Sequence, residues 1–413
     1  MENVYIIGVG KIRFNKYPTE TVRTMAEKAT NLALADAGLK KGELESVYFA
    51  NSFWGMFDKQ DAIRGQVIMR GMGIDKIPVT NVENACAGAS TALHLAYTGI
   101  RAGMFDVALA LGSEKITNPD KALSFAAYAR AMDVENFEKH INMITSLGKS
   151  FELPDSVKES APGQGRSVFM DAYAMMCRWH MNRFGTTQRQ LAEVCSKNHF
   201  HASLNPLAQY QNTMSVEEVL ADAPITYPLT RAMCAPVGDG AAAAIVCSES
   251  YLKKLQNIVP VKILASVHGQ GSDREIDGID IGERLSKQAY EMAAVGPEDI
   301  DFAELHDATA YGELHQSEVM GFCPHGEGGP FAESGATRLG GKIPLNTSGG
   351  LESNGHPIGA SGLSQIHELV TQIRGAAGKR QVAGAQIGLA ENGGGSIGVE
   401  EAAMCIHILE KVS

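Results

Sequence analysis

Two glycine- and alanine-rich turns, each leading into an apolar helix, constrain the fold of this chain more than any other feature. The first turn surrounds Cys86 and its helix runs to about Arg101, whereas the second surrounds His356 and its helix runs to about Arg374. Runs of β-branched residues alternate with amphipathic helices on both sides of these turns. Strands that alternate with helices form a mostly parallel sheet covered by helical layers. We therefore expect an α/β protein of two similar units, each with a buried helix between its sheet and the other unit.

The order of predicted elements places the boundary between the units near residue 250. The N-terminal unit is expected at residues 1–250, and its segment 114–231 has the mainly helical pattern of an insertion. The C-terminal unit is expected at residues 251–413. Its predicted strands are Val261–Val267, Phe302–Leu305, Val382–Ile387 and Ser396–Ile408.

Charge and cysteine usage exclude several classes of protein. The net charge of −11 argues against non-specific nucleic-acid binding. No apolar run reaches the ~18 residues of a membrane span, so we expect no contact with a membrane. Seven cysteines without a C-x-x-C pair favour a reducing compartment, and we expect a cytoplasmic protein. Two cysteines have histidines at helical spacing (Cys177 with His180, Cys195 with His199), but no tetrahedral ligand set assembles, so we expect core residues and no metal.

Cys86 is the candidate nucleophile. It lies where a strand ends and a helix begins, and the unpaired N–H groups and positive partial charge of a helix N-terminus favour a thiolate. The thiolate is the reactive form of cysteine. The alternative is a small buried cysteine that packs like alanine.

Three further stretches concentrate polar residues among glycines: Glu304–Thr309, Asn346–Gly362 and Leu389–Ser396. Any one of them alone is weak, because a histidine at a strand end or a run of glycines is common in turns. Asn346–Gly362, however, resembles the thiolase-superfamily signature N-x-S-G-G-x-x-x-x-G-H-P-x-G-A-x-G at every fixed position. His306-Asp307 resembles the H-D motif of the sterol-carrier-protein-2 type of thiolase. The resemblance covers essentially the whole chain.

The resemblance implies a fold and a set of roles. The fold would be two βαβαβαββ units packed as a five-layer α-β-α-β-α sandwich. Cys86 would take an acyl group from a thioester, and His356 would accept the thiol proton. His306 and His356 would form one oxyanion site, and the backbone N–H groups of Cys86 and Gly393 would form the second. Coenzyme A would be a co-substrate, with no tightly bound cofactor.

Glu391 is the one departure from the ordinary pattern. Ordinary thiolases carry a second cysteine as the general acid/base, and Glu391 stands at the corresponding position here. A buried carboxyl group with a raised pKa could move the same proton. The alternative is that Glu391 bonds to the backbone and a water held by Asn392 transfers the proton.

The predicted reaction is therefore acyl transfer between a 3-oxoacyl-CoA and coenzyme A, with 2-benzoylsuccinyl-CoA as a candidate substrate. A thiolase-fold aldolase with a zinc-ribbon partner is the main alternative, although such relatives lack the nucleophilic cysteine. The intact G-H-P-x-G-A-x-G motif argues against a ketosynthase, and the set of Cys86, His306 and His356 argues against a non-catalytic subunit. The resemblance also implies a homodimer paired through Val79–Asn84, and a possible second subunit is a small protein with a zinc ribbon and an oligonucleotide-binding-type fold.

Overall fold

The structure is a computed structural model that describes residues 2–158 and 160–412. Its strands are β1 (Val4–Lys11), β2 (Ser46–Ala50), β3 (Val79–Val82), β4 (Val107–Glu114), β5 (Pro224–Thr226), β6 (Leu229–Thr230), β7 (Gly240–Ser248), β8 (Val261–Gln270), β9 (Phe302–Glu304), β10 (Ile387–Gly394) and β11 (Ala403–Lys411). Its α-helices are α1 (Val22–Ala37), α2 (Trp54–Asp58), α3 (Arg64–Gly71), α4 (Gly88–Arg101), α5 (Lys121–Tyr128), α6 (Phe137–Leu147), α7 (Val168–Phe184), α8 (Gln188–Ser203), α9 (Val216–Leu220), α10 (Glu249–Leu252), α11 (Ile281–Ala293), α12 (Ala310–Val319), α13 (Gly328–Glu333) and α14 (Ser361–Ile373).

The main sheet consists of two parts joined by a narrow junction. Its strand order is β3-β2-β4-β7-β1-β8-β11-β10-β9. Strand β1 pairs with β7 along its length but with β8 only at Tyr5–Lys262 and Ile6–Val261. The strands from β3 to β1 therefore form the first part of the sheet, and those from β8 to β9 form the second.

The two parts of the sheet are stacked with helices into five layers. Helices α4 and α14 lie between them, because apolar residues of both helices share one core with strands of both parts. Helices α1 and α3 cover the outer face of the first part, and α11 and α12 cover the outer face of the second. The predicted α/β layering, with one buried helix from each unit at the centre, is confirmed.

The C-terminal strands differ from the sequence prediction. The strands expected at Val382–Ile387 and Ser396–Ile408 lie instead at β10 and β11. Glu391, Asn392 and two glycines are inside β10, where each pairs with a residue of β11. The turn is at Gly395–Ala402, where Gly395 and Gly398 have positive φ. Polar and glycine residues suggested a turn, but here they form the strand end that faces the candidate site.

The second unit also lacks a regular third strand. Its counterpart of β3 is a single parallel bridge between Leu345 and Ala303. Pro344 has no N–H to donate, and Asn346 has a φ of 54°, so neither continues a ladder. The expected βαβαβαββ succession is complete in the first unit only.

Helices α5 to α9 fall within the segment predicted as an insertion, and most of their buried apolar residues share one core with α12. Helix α8 begins with the Thr187 capping box and α9 with the Ser215–Glu218 capping box. Cys177 and Cys195 are buried in this core, and the Cys195 thiol donates to the carbonyl of Ala232. The division of the chain at residue 250 stays a prediction. None of the helices in residues 2–158 and 160–412 has both the length and the apolar character of a bilayer span.

Candidate active site

Cys86 lies in a tight turn between β3 and α4. The 3₁₀ turn Ala85–Ala87 begins with Ala85 at a φ of 46°, an uncommon conformation for a residue with a side chain. Strand β10 approaches this turn so closely that a Cβ on Gly394 would overlap the carbonyl oxygen of Asn84. Glycine is therefore required at this position for the last strand of the chain to reach the nucleophile.

His356 lies beside Cys86, where its expected base would have to be. Its Nε2 lies 3.3 Å from the Cys86 Sγ. The histidine follows a π-helical turn, Gly350–Asn354, and Gly355, whose φ of 106° turns the chain toward the cysteine. Burial, together with the nearby His306, holds the pKa of His356 well below its usual value. The imidazole is therefore neutral and able to accept a proton.

The electrostatics of Cys86 differ from the sequence expectation. Burial raises the pKa of the Cys86 thiol to about 12, and the hydrogen bonds from the backbone N–H groups of Gly395 and Cys86 offset only part of that cost. The carboxylates of Glu83 and Glu114 add to the rise. The backbone N–H of Cys86, at the helix N-terminus, lowers the pKa of the thiol, as expected, but desolvation outweighs it. The thiol and imidazole are both neutral at rest, and the proton must move during attack.

His306 is oriented by a short hydrogen-bond chain. The Ser90 hydroxyl donates to Asn392 Oδ1 over 3.0 Å, which turns the amide nitrogen of Asn392 toward His306 Nδ1, also at 3.0 Å. Burial lowers the pKa of His306 to about 4, so the ring is neutral. Because Nδ1 accepts this bond, the remaining proton is on Nε2. His306 therefore offers an N–H donor, as an oxyanion site requires.

The nucleophile and both histidines line one cavity of about 390 Å³. The His306 and His356 rings are nearly perpendicular, with centroids 5.2 Å apart, and Gly393 lies on the same wall. The wall also carries five aromatic side chains and three cationic ones: Phe125, Tyr128, Phe169, Tyr173, Tyr210, Lys121, Arg166 and Arg231. The cavity thus combines a reactive thiol with an apolar space and positive charge.

Glu391 is not among the described residues that line this cavity. Its side chain has no exposed surface, and its Oε2 accepts the backbone N–H of His306 at 2.8 Å. Burial raises the pKa of Glu391 to about 8, as expected for a desolvated carboxyl. Its role as the acid/base stays a prediction. Another carboxyl, Glu401, does line the cavity.

Sequence reasoning missed three residues at this site. Ser90 gave no signal because a serine in an apolar helix is ordinary, and Asn392 was considered only as a holder of water. Glu401 was missed because the strand was predicted to begin at Ser396, whereas Glu401 lies in the turn before β11. A correct assignment of that turn would have placed Glu401 near the glycines of β10.

Asp307 fixes the loop that carries His356. Its Oδ1 accepts the N–H of Leu351 at 2.6 Å, and its carboxylate lies against Gly350. Asn198 Nδ2 is within 3.1 Å of the carboxylates of Asp307, Glu313 and Glu352. Lys197 pairs with Glu313 in the same buried cluster. Burial and the neighbouring carboxylates of Glu352 and Glu313 raise the pKa of Asp307 well above its usual value.

The same three active-site residues also have the spacing of metal ligands. Sγ of Cys86 and ring nitrogens of His306 and His356 lie within 4.8 Å of one another, a grouping found nowhere else among the described residues. The thiol–imidazole hydrogen bond fits a nucleophile and its base without an ion. The expectation of a metal-free site stays a prediction.

Comparison with known proteins identifies the family. The thiolase N-terminal domain matches residues 4–250, and the thiolase C-terminal domain-like family matches residues 275–410. An acetyl-CoA acetyltransferase of Methanothermobacter thermautotrophicus is 36% identical over 416 residues, covering 100% of both chains. Sterol carrier protein 2 of Oryctolagus cuniculus is 36% identical, covering 95% of this chain and 70% of the relative. The benzoylsuccinyl-CoA thiolase subunit BbsB of Thauera aromatica is 34% identical, covering 90% and 89%.

Solved structures show the same fold. The Ltp2-ChsH2(DUF35) aldolase superposes with a TM-score of 0.77 at 23% identity, covering 99% of this chain and 98% of the other. The Acat5 thiolase from Ascaris suum in complex with coenzyme A superposes with a TM-score of 0.67 at 16% identity, covering 99% and 100%. The chain belongs to the thiolase family and is an acyltransferase of that family.

Proposed function

We propose that this chain cleaves a 3-oxoacyl-CoA with coenzyme A through an acyl-enzyme on Cys86. The observation that carries the proposal is the 3.3 Å contact between Cys86 Sγ and a neutral His356 Nε2. The protonated thiol passes its proton to His356 as sulfur attacks the 3-oxo carbon. The carbon–carbon bond then breaks, which leaves an acyl group on Cys86 and an enolate of the remaining acyl-CoA.

Two sets of donors stabilise the negative charges in this proposal. The N–H of His306 would stabilise the enolate oxygen together with His356. The backbone N–H groups of Cys86 and Gly393 would stabilise the oxyanion formed when sulfur attacks. Such a donor contributes about 3–4 kcal/mol to transition-state stability. Coenzyme A then releases the acyl group, and His356 returns its proton to Cys86.

The cavity wall supports coenzyme A as the co-substrate. Lys121 and Arg231 are exposed at the cavity, where they can face the phosphates of the nucleotide; Arg231 also pairs with Asp222 at 2.6 Å. Arg166 is less available, because it is buried and paired with Asp171. A related fold was solved in complex with coenzyme A.

The aromatic wall favours a bulky acyl group. Phe125, Tyr128, Phe169 and Tyr173 provide ring surfaces that would pack on an aryl group. We therefore include 2-benzoylsuccinyl-CoA, cleaved to benzoyl-CoA and succinyl-CoA, among the proposed substrates; the likeness to the Thauera aromatica subunit supports this choice. The second candidate is an aldolase reaction on a CoA thioester, supported by the fold likeness to the Ltp2-ChsH2(DUF35) aldolase. An aldolase needs no acyl-enzyme, so the Cys86–His356 pair favours the thiolase.

We also propose a homodimer in the cytoplasm, with a small zinc-ribbon protein as a possible second subunit. Strand β3 is at the open end of the sheet, and Thr80 and Asn81 on it are exposed. The seven cysteines are free, as expected in a reducing compartment. The names of two relatives include a second component or a subunit.

The experiment compares substrates and two matched cysteine variants. Acetoacetyl-CoA, a straight-chain 3-oxoacyl-CoA and 2-benzoylsuccinyl-CoA are each incubated with coenzyme A, and the products are separated by mass. Cys86→Ser should abolish formation of two acyl-CoA products. Cys234→Ser is the control, because Cys234 is also half-buried in the cavity wall, but its thiol donates to the carbonyl of Thr230. Cleavage that needs no coenzyme A and survives in Cys86→Ser would instead support the aldolase.

A further inference from the structure

Glu401 has the position that a second acid/base requires. It lies in the turn between β10 and β11, and its half-buried side chain shares the cavity wall with Cys86, His306 and His356. A Cβ on Gly393 would lie 2.7 Å from Cγ and 3.4 Å from Oε1 of Glu401. The carboxyl is therefore packed directly on Gly393, the residue whose N–H is proposed to stabilise the oxyanion.

Glu391 and Glu401 differ in their access to the substrate. Glu391 is fully buried, and its Oε2 is occupied by the N–H of His306. Glu401 keeps exposed surface toward the cavity, and the neighbouring Glu400 provides the structural bonds of the turn to Arg274 and the N–H of Ile281. Of the two carboxyls, only Glu401 is among the described residues that line the cavity beside Cys86.

A second, smaller cavity adjoins Glu401. It has a volume of about 40 Å³, and both Glu401 and His306 lie in its wall as well as in that of the main cavity. His315 and Asp280 also line it, and the Nε2 of His315 lies 3.4 Å from the Oδ2 of Asp280. This space is large enough for a water molecule with several polar partners. A proton can thus reach Glu401 from a side that the substrate does not occupy.

The charged and titratable groups around Glu401 come from every element packed against it. They are Glu391 on β10, Tyr173 on α7, Asp280 before α11, Tyr311 and His315 on α12, Arg274, His306 and the adjacent Glu400. Burial, reinforced by the charge of Asp280, raises the pKa of Glu401 to about 7. A group that titrates near neutral pH suits proton transfer in both directions.

We propose that Glu401 is the general acid/base that protonates the enolate and then deprotonates coenzyme A. This inference rests on the proposed thiolase function. When the carbon–carbon bond breaks, the carboxylic acid of Glu401 gives its proton to the enolate carbon and becomes a carboxylate. The carboxylate then takes the proton of the incoming thiol, whose sulfur attacks the acyl-enzyme. Cys86 leaves as a thiolate and recovers from His356 the proton it gave in the first step.

The test measures two half-reactions separately. Acylation of Cys86 by acetyl-CoA alone reports on the nucleophile and its base, and is followed by protein mass. Exchange of the methyl hydrogens of acetyl-CoA in deuterated water reports on the second acid/base. The variants are Glu401→Gln, Glu401→Asp and Glu391→Gln, with Glu135→Gln as a control at an exposed position.

We expect Glu401→Gln to slow hydrogen exchange at least ~100-fold, the lower range for a general acid/base, and to slow acylation less than ~10-fold. One ionisation near neutral pH should disappear from the exchange profile, and Glu401→Asp should restore part of the rate.

Exchange at the wild-type rate in Glu401→Gln would overturn the inference, as would a larger loss in Glu391→Gln. If Glu401→Gln fails to fold, partial exchange with a shifted profile in Glu401→Asp supports the role, and an unchanged profile overturns it. Wild-type protein in which Cys86 is acylated by none of acetyl-CoA, acetoacetyl-CoA and 2-benzoylsuccinyl-CoA contradicts the proposed function instead.

Discussion

The two ends of the main sheet are built from equivalent parts of the two units but are covered differently. At one end, β3 leads into the Cys86 turn and exposes Thr80 and Asn81. At the other end, β9 is followed by only a single bridge at Leu345, and that segment is fully buried. The first end is therefore an open strand edge, and the second is closed.

Helix α8 of the insertion closes the second end. Lys197 Nζ donates to the carbonyl of Leu345 at 3.0 Å, and His201 Nδ1 lies 3.1 Å from the carbonyl of Asn346. Gly349 is packed against Ala202 of the same helix. Side chains of α8 thus bond to carbonyl groups of this segment, where Pro344 prevents a regular strand ladder. The chain covers the edge beside its histidines with its own insertion and leaves the edge beside its nucleophile for another partner, which we propose is a second copy.

The largest expected effect concerns the catalytic link between the two ends. The proposed nucleophile comes from the open end and its base from the closed end. His356→Ala removes the base and leaves the thiol without a proton acceptor. We expect acylation of Cys86 to slow about 10³-fold, within the range for loss of a general base. Rapid-quench mass analysis of the acyl-enzyme measures this rate. Acylation within tenfold of wild type would show that the 3.3 Å contact is not the productive one.

The next effect tests the cover of the closed end. Lys197→Met removes the ammonium that pairs with buried Glu313 and donates to Leu345. Loss of one partner of a buried ion pair typically costs about 3–5 kcal/mol, because the other charge stays buried. Urea unfolding measures the change. A control is Lys28→Met, which removes a partly exposed pair with Glu20 and should cost less than about 1 kcal/mol.

At the open end, a substitution should change the oligomeric state and leave the fold of the chain intact. Thr80→Glu places equal charges on two exposed β3 edges that would meet across a two-fold axis. We expect the proposed dimer to dissociate at micromolar concentration in light scattering, with the secondary structure retained. A wild-type protein that is already a stable monomer would remove the basis for a partner at this edge.

The smallest effect is a pH dependence of the stability of the fold, which arises from a buried carboxyl at the closed end. Burial raises the pKa of Glu352 to about 8 from an unfolded value near 4.5. The folded state therefore holds a proton that the unfolded state releases, and this contribution to stability declines as pH rises from about 4.5 to 8. Glu352→Gln cannot release that proton, so the fall in Tm between pH 5 and pH 8 should become shallower. An unchanged slope would show that Glu352 is ionised throughout this range.

The sequence predicted most of the fold because its helices have clear periodicity and caps. The side chains of Thr21, Thr187 and Ser215 each accept a backbone N–H from the first turn of a helix. Strands β10 and β11 were misplaced because the polar residues of β10 are stabilised by tertiary contacts: Asn392 by Ser90, and Glu391 by the backbone of His306. Local patterns contain no information about such partners.

The candidate site was predictable as a set of residues but not as an electrostatic environment. Cys86, His306, His356 and Gly393 meet at one cavity, as the family motifs implied. The protonation of Cys86 was not predictable, because desolvation depends on residues from both units that enclose the thiol. For the same reason Glu391 and Glu401 cannot be distinguished from sequence; they differ in that Glu401 lines the cavity and Glu391 does not.

The identity of the acylated residue tests the central claim most directly. The protein is mixed with acetoacetyl-CoA without free coenzyme A, quenched in acid, digested and analysed by peptide mass, beside the Cys86→Ser and Cys234→Ser variants. We predict one acetyl group on the Cys86 peptide in wild type and in Cys234→Ser, and none in Cys86→Ser. A label on Cys234, or an acetylated Cys86→Ser protein with normal turnover, would contradict the account.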